Sequence, residues 1–355
     1  MKHIYLPIFI ITLSCLVYAP VTKAETDPSS IKGAQVKKPD MARKDVEAYK
    51  DVKVVDGDTP LPTQKRTFIG KNKVVKAKYE DTLLELGRKY NLGYVEMVAA
   101  NPGVDPWLPG EGTKIILPKQ HLLPDVPHEG IVINLAEMRM YDFVTDPQNP
   151  KTFPIGIGRE GLNTPLGQTT VVRKMEGPSW RPTPRMRKEK PELPAVVPPG
   201  EDNPLGTHAL YLGWPQYLIH GTHKPLGVGR RVSSGCIRMY PEDIIKVFEE
   251  VPNGTKVTVI KEPIKFAWID DMLYMEAHAE DELADSYEDI GQIKEYRVPE
   301  TLFADVTEIA GDEKDRLNWQ KIREAVKTRN GLPIAILTKD KPDETVEVTK
   351  DILNI

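Results

Sequence analysis

Two residues sixteen positions apart carry the chemistry this chain is equipped to do: His220 in Tyr217-Leu218-Ile219-His220-Gly221-Thr222-His223, and Cys236 in Ser233-Ser234-Gly235-Cys236-Ile237-Arg238-Met239. Acyl transfer needs a nucleophile, a base within hydrogen-bond reach, and amide donors where the oxyanion forms. An apolar strand ending at His220 delivers an imidazole next to a glycine, and a backbone carbonyl such as that of Gly221 is expected to orient the ring. A Ser-Ser-Gly-Cys turn just ahead of a helix leaves backbone N–H groups open to an incoming carbonyl. A free thiol has a pKa of ~8.5, so at neutral pH little of it is thiolate. An imidazole that accepts the proton makes up that shortfall.

Each residue alone also has an ordinary structural explanation. A lone cysteine is commonly a small buried hydrophobe, and a histidine closing a strand is commonly a satisfied rim residue. Their conjunction around one thiol favours catalysis. A zinc site built from His208, His220, His223 and the thiol is the rival chemistry. No acid stands beside the pair in sequence, and H-x-x-H on a strand turn is not a usual ligand spacing. No metal and no other cofactor is therefore expected, and His223 reads as a polar neighbour of the site.

The rest of the chain says where this chemistry takes place. Lys2 and His3, the apolar run Ile4–Val17 and the exit at Ala24 read as a secretory signal peptide over residues 1–24. No later segment comes near the ~20 apolar residues that span a bilayer, so no transmembrane segment is expected in the mature chain. Cleavage removes Cys15 and leaves Cys236 as the single mature thiol, which excludes an internal disulfide. The formal charge of −4 over 355 residues argues neither for nucleic acid nor for an acidic polymer as a whole-surface partner, and no nucleic acid is expected. The expected location is the periplasm or cell wall.

Four further segments follow. Residues 25–65 read as a linker, with a short strand at Val52–Val55. Residues 66–118 show a capping box at Thr82 and Glu85, a stripe of Leu83, Leu86 and Tyr90, and a second short helix stopped by Asn101-Pro102-Gly103. With Val74-Val75 pairing Lys114–Leu117, the order is strand, helix, helix, strand. Residues 129–262 are mainly β: short runs such as Ile131–Ile133, Met138–Phe143, Phe153–Ile157, Thr169–Val172 and Ala209–Leu212 are separated by Gly, Pro, Asn and Asp. A helix opens at Pro241, and the last strand is Lys256–Ile260. Residues 263–355 form an α+β extension of unknown role, with a hairpin around Asp270-Asp271, a helix near Trp319–Lys327 and a strand at Ile334–Leu337. Seven carboxylates between Glu276 and Asp289 read as a solvated segment. Arg173–Lys190 carries seven basic residues against two acidic, and its proline-rich continuation is either a substrate lid or a solvated insertion.

Two resemblances sharpen this reading. Asp81-Thr82-Leu83, Asn101-Pro102-Gly103-Val104 and Pro109-Gly110 through Ile116-Leu117-Pro118 resemble the LysM domain. That resemblance implies binding of N-acetylglucosamine-containing glycan; the alternative is a packing module that only positions its neighbour. As a separable module, its deletion is expected to leave turnover of a soluble peptide unchanged.

His220-Gly221-Thr222 followed by Ser233-Ser234-Gly235-Cys236-Ile237-Arg238 resembles the signature of the YkuD-type L,D-transpeptidases (ErfK/YbiS-like). The similarity extends from Gly130 through Gly156-Ile157-Gly158 and Thr164-Pro165 to the final strand. It implies a β-sandwich-like catalytic domain with Cys236 as nucleophile and His220 as proton donor and acceptor. The implied reaction forms a thioester at the third residue of a peptidoglycan stem peptide and releases D-alanine. An amine on a second stem or on an anchored lipoprotein then takes the acyl group. The alternatives are L,D-carboxypeptidase trimming by water, and a non-catalytic peptidoglycan-binding protein. Many members have His where this chain has Ser234, and Asn where it has Arg238. Ser234 still offers a hydrogen bond. Arg238 either pairs with a substrate carboxylate or supports the turn through a salt bridge. Tyr217 is a candidate groove-lining aromatic.

Overall fold

β-branched and aromatic residues dominate the short runs of residues 129–262, and in the computed structural model those runs assemble around one large sheet. The described residues are 68–279, 284–285 and 300–338. The expected signal peptide, the linker and its strand at Val52–Val55 lie outside them.

In chain order the first elements are β1 (Phe68–Ile69), β2 (Lys73–Lys76), α1 (Leu83–Tyr90), α2 (Tyr94–Ala100), β3 (Lys114–Leu117) and β4 (His121–Leu122). β2 and β3 pair antiparallel with Val74 opposite Ile116 and Val75 opposite Ile115. Thr82 caps α1 by accepting from the Glu85 N–H, and Asn91 closes the helix in the left-handed region.

The next elements are β5 (Ile131–Asn134), β6 (Arg139–Asp142), β7 (Lys151–Pro154), β8 (Ile157–Gly158), β9 (Gly167–Glu176), α3 (Pro184–Glu189), β10 (His208–Leu212), β11 (Leu218–His220), β12 (Arg231–Ser233), β13 (Ile237–Arg238), α4 (Pro241–Glu250) and β14 (Lys256–Ile260). Eight of them form a mixed sheet in the order β13-β11-β10-β9-β14-β5-β6-β7, while β8 and β12 form a separate parallel pair. β5 is covered on both faces. Ile131 and Ile133 join the main core, whereas Val132 packs in a second cluster with Ile69, Tyr141 and Phe143. α4 packs against β10, and Ile244 and Val247 enter the main core.

Three features differ from the sequence reading. Cys236 is followed by β13, not directly by a helix, so its turn links two short strands. β9 runs on to Glu176, and α3 lies within the basic segment Arg173–Lys190, where no helix is expected from the sequence. Glu276 is not solvated: it is fully buried on the hairpin β15 (Ile264–Ile269) and β16 (Met272–Ala277), opposite Lys265. Its carboxylate takes Lys265 Nζ at 2.9 Å and His278 Nε2 at 2.6 Å, and the same ammonium reaches Glu137 at 2.8 Å. Two buried carboxylates demand a buried cation, and Lys265 supplies it.

The βααβ unit shares its core with the large sheet. Leu86, Met97 and Val98 lie in one cluster with Ile133, Ile219, Ile237 and Ile244. Polar contacts complete the junction. Val95 N–H donates to Gly229 O at 3.1 Å, Tyr240 Oη to Leu92 O at 3.1 Å, and Arg139 to Glu96 at 2.5 Å. Gly229 has a φ of +75°, and a Cβ there would stand 2.2 Å from Tyr94 N. Only glycine permits that approach. The hairpin β15–β16 adds β17 (Ile334–Ala335) and packs against the helices Glu300–Ala310 and Trp319–Thr328 through Leu273, Met275, Val306 and Ile322. Among the described residues no helix is long and apolar enough to cross a membrane.

Candidate active site

β11 and β13 lie side by side and parallel, with Ile219 opposite Ile237 and His220 opposite Arg238. This register brings the two ends of the sequence signature together: His220 closes one strand, and Cys236 leads into its neighbour. Ile219 and Ile237 are fully buried beneath them.

His220 is 3% exposed, and its Nδ1 lies 2.5 Å from Gly221 O. A carbonyl only accepts, so Nδ1 carries the hydrogen and Nε2 is left as the basic nitrogen. The orienting carbonyl is thus the one expected from the sequence. Burial, followed by the nearby Arg238 charge, lowers the pKa of His220 to about 4. The ring is therefore neutral at physiological pH and ready to accept a proton.

Cys236 is half-buried, and its Sγ points toward Gln216 O at 3.4 Å. Burial pushes the thiol pKa up, against smaller lowering effects from the Leu218 N–H and Arg238. The resting pair is neutral thiol and neutral imidazole. Sequence reasoning expected the imidazole to generate thiolate before substrate arrives; desolvation of both groups opposes that charge separation.

The turn that presents the thiol is braced from two sides. Ser233 Oγ donates to Cys236 O at 2.6 Å and accepts from Gly235 N–H at 3.1 Å. Thr164 Oγ1 donates to Gly235 O at 2.9 Å. Gly235 has a φ of +106°, and a Cβ there would lie 2.9 Å from Tyr217 Cε1. Tyr217, half-buried and edge-on to Trp214 at 6.3 Å, thus forms a wall over the turn. Ser233 and Thr164 were not singled out from sequence as supports. The signal was present in the paired hydroxyls ahead of Gly235, but a hydroxyl's partner is a tertiary fact. Ser234, which was singled out, is exposed and takes no part in the brace.

Arg238 packs its Cβ against Gly156, and its Nε is buried without a hydrogen-bond partner. Among the described residues it makes no ion pair, so the salt-bridge alternative for this side chain has no support. His223 is exposed on the loop after β11, and burial and Lys224 lower its pKa. His208 lies edge-on to Phe248 at 4.6 Å.

Among the described residues, three metal-ligand atoms converge at His121, Glu137 and Glu276, within 4.8 Å of one another. They do not converge at His208, His220, His223 and Cys236. At the buried cluster the cation is already Lys265, 2.8 and 2.9 Å from the two carboxylates.

The L,D-transpeptidase catalytic domain, YkuD, matches residues 128–259. The Escherichia coli K12 protein named "Probable L,D-transpeptidase YbiS" is 41% identical over 285 residues, covering 78% of this chain and 91% of that one. "Probable L,D-transpeptidase ErfK/SrfK" of Salmonella typhimurium is 38% identical over 285 residues, covering 78% and 90%. A solved L,D-transpeptidase from Mycobacterium smegmatis is 18% identical, with a TM-score of 0.31, over 42% of this chain and 74% of that one. Similarity to the full-length relatives runs through the His220 and Cys236 strands and well beyond the catalytic region, and the chain belongs to the YkuD-type L,D-transpeptidase family of acyl-transferring enzymes.

Proposed function

We propose that this protein transfers the acyl group of a peptidoglycan stem peptide through Cys236, with His220 as its proton acceptor and donor. The observation that carries the reading is the Nδ1–H bond to Gly221 O, which leaves His220 Nε2 basic, on the strand next to the one that Cys236 leads into. The thiol proton moves to Nε2 as Sγ attacks the carbonyl of the third stem residue. The Cys236 N–H, which has no partner among the described residues, is the donor for the oxyanion. Collapse breaks the bond to the terminal D-alanine, whose amine takes the proton from His220. An amine then attacks the thioester while His220 accepts its proton, and the thiol is restored. Arg238 meets the carboxylate of the bound peptide, Tyr217 walls the site over Gly235, and Ser234 and His223 line its exposed edge.

The test is incubation with purified stem tetrapeptide and mass analysis. Release of D-alanine with a joined product is expected when an amine acceptor is present. Release into water alone would favour the L,D-carboxypeptidase reading. No release would leave only non-catalytic wall binding.

Glycan binding by the βααβ unit, the LysM reading, is supported by two loops beside its helices. Tyr79, 85% exposed, and Trp107, 54% exposed, stand on those loops, and a Leu83 N–H to Pro106 O bond of 2.8 Å holds the loops together. Exposed aromatics on a rigid pair of loops offer flat faces to sugar rings. Neither residue was singled out in the sequence; an aromatic flanked by Pro106 and Pro109 was the available signal. The acceptor amine on a lipoprotein, export through the signal peptide and a periplasmic location belong to the same reading, and rest on residues 1–24 and the wall chemistry.

A further inference from the structure

An open cavity of about 400 Å³ lies beside the nucleophile's turn, with Arg159, Arg185, Arg231, Leu162, Glu160 and Asp285 in its walls. It shares its framework with the turn. Arg159 N–H donates to Ser233 O at 3.0 Å, and the carbonyls of Leu162 and Asn163 stand 3.5 Å from the place a Cβ on Gly235 would take. Arg231 opens β12, which runs into Ser233, and its side chain is only 4% exposed. A buried guanidinium needs a carboxylate, and here it takes one from far along the chain, Asp285, at 2.9 Å. Arg159 and Arg185, both substantially exposed, share Glu189 at 4.0 and 3.4 Å.

We propose that this cavity is a carboxylate-binding subsite for the peptide substrate, held by Arg231, Arg159 and Arg185, and that Asp285 fills it as an internal competitor. The proposal rests on the peptide-transfer reading above and adds a second anchoring point to it. With Asp285 in place, Arg231 holds its carboxylate, while Arg159 and Arg185 share Glu189. A ligand carboxylate enters by replacing Asp285 on Arg231. Arg159 and Arg231 are tied to the turn through Ser233 and β12, so a carboxylate seated there holds the rest of the peptide at a defined distance from Cys236.

The experiment measures calorimetric binding in the full chain carrying Cys236→Ser, so that no turnover is needed. The probes are a stem tetrapeptide and the same peptide with every carboxylate converted to amide. Asp285→Asn is expected to tighten the carboxylate peptide about fivefold, and Arg159→Gln with Arg185→Gln to weaken it about fivefold. The amide peptide should respond to neither by more than about twofold. Equal responses of the two peptides, or no response to Asp285→Asn, would overturn the proposal. If these shifts appear while the wild-type chain transfers no acyl group, the catalytic reading fails and the subsite stands. A soluble acetate titration separates sources: acetate that matches the tetrapeptide's sensitivity marks an anion site without peptide selectivity, which also overturns the proposal.

Discussion

At His220 and Cys236 the decisive fact is that both groups rest uncharged. Burial holds His220 at about 4 and raises the thiol, so the proton stays on sulfur until the substrate carbonyl is in place. Alkylation by iodoacetamide at mildly acidic pH is therefore expected to be slower than for a simple thiol, and to rise as pH climbs; a rate profile from pH 5 to 10 checks this. The acid limb of kcat/KM should fall near pH 4 instead of near 6.5, because the free enzyme's base titrates there. The stability effect has a defined sign. The folded pKa lies below the unfolded one, so the unfolded chain binds the extra proton and stability declines as pH falls from 6.5 to about 4. This single group accounts for about 3 kcal/mol over that window, and His220→Gln should flatten that part of the urea-unfolding profile. Replacing the nucleophile itself, Cys236→Ser, should abolish D-alanine release with the fold retained, since an alcohol is a far poorer nucleophile beside the same base. Ser233→Ala should cost more activity than Ser234→Ala, because only Ser233 braces the turn.

Among the elements, the βααβ unit is bound into the catalytic region more firmly than its sequence boundary suggests. Its helices share one core with the large sheet, and Gly93 sits backbone-to-backbone on Gly229, two residues before Arg231. Deletion of residues 66–118 is expected to abolish soluble-peptide turnover, not spare it, because it removes helices that share one core with the large sheet and the backbone contact on Gly229. A milder test keeps every element. Gly229→Ala places a Cβ 2.2 Å from Tyr94 N in a left-handed conformation. It should lower the thermal midpoint and reduce turnover together, while a Trp107→Ala variant should lose affinity for insoluble wall polymer with soluble-peptide kinetics unchanged.

On the scale of the whole molecule, one buried charge cluster ties three segments together. Lys265 from the C-terminal hairpin meets Glu137 from the sheet, Leu122 O from β4 at 2.7 Å and its own hairpin partner Glu276. Lys265→Ala would leave two buried carboxylates without their cation and should cost about 3–5 kcal/mol of stability in urea unfolding. The charge attraction of Lys265 holds both carboxylates below their usual range in spite of burial. Their folded pKa values are depressed, so their contribution is present at neutral pH and is lost as acid protonates them. Acid unfolding of the wild type should therefore be cooperative across the sheet and the extension, seen as coincident tryptophan-fluorescence and far-UV transitions.

The amino-acid sequence by itself determined the chemistry and most of the elements. A histidine at the end of an apolar run and a cysteine in a glycine-bearing turn are local patterns, and so are the capping box at Thr82 and the strands around Ile131 and Val257. These are set by residues within a few positions of one another, where propensity and periodicity act. Tertiary structure decided what no neighbour in sequence specifies. It made Ser233 and Thr164 the supports of the turn and left Ser234 outside. It turned Glu276 inward onto Lys265, joined Asp285 to Arg231, and welded the βααβ unit to the sheet through Gly229. It also set the resting protonation of the pair, because desolvation depends on everything packed around a group and not on the residues beside it in the chain.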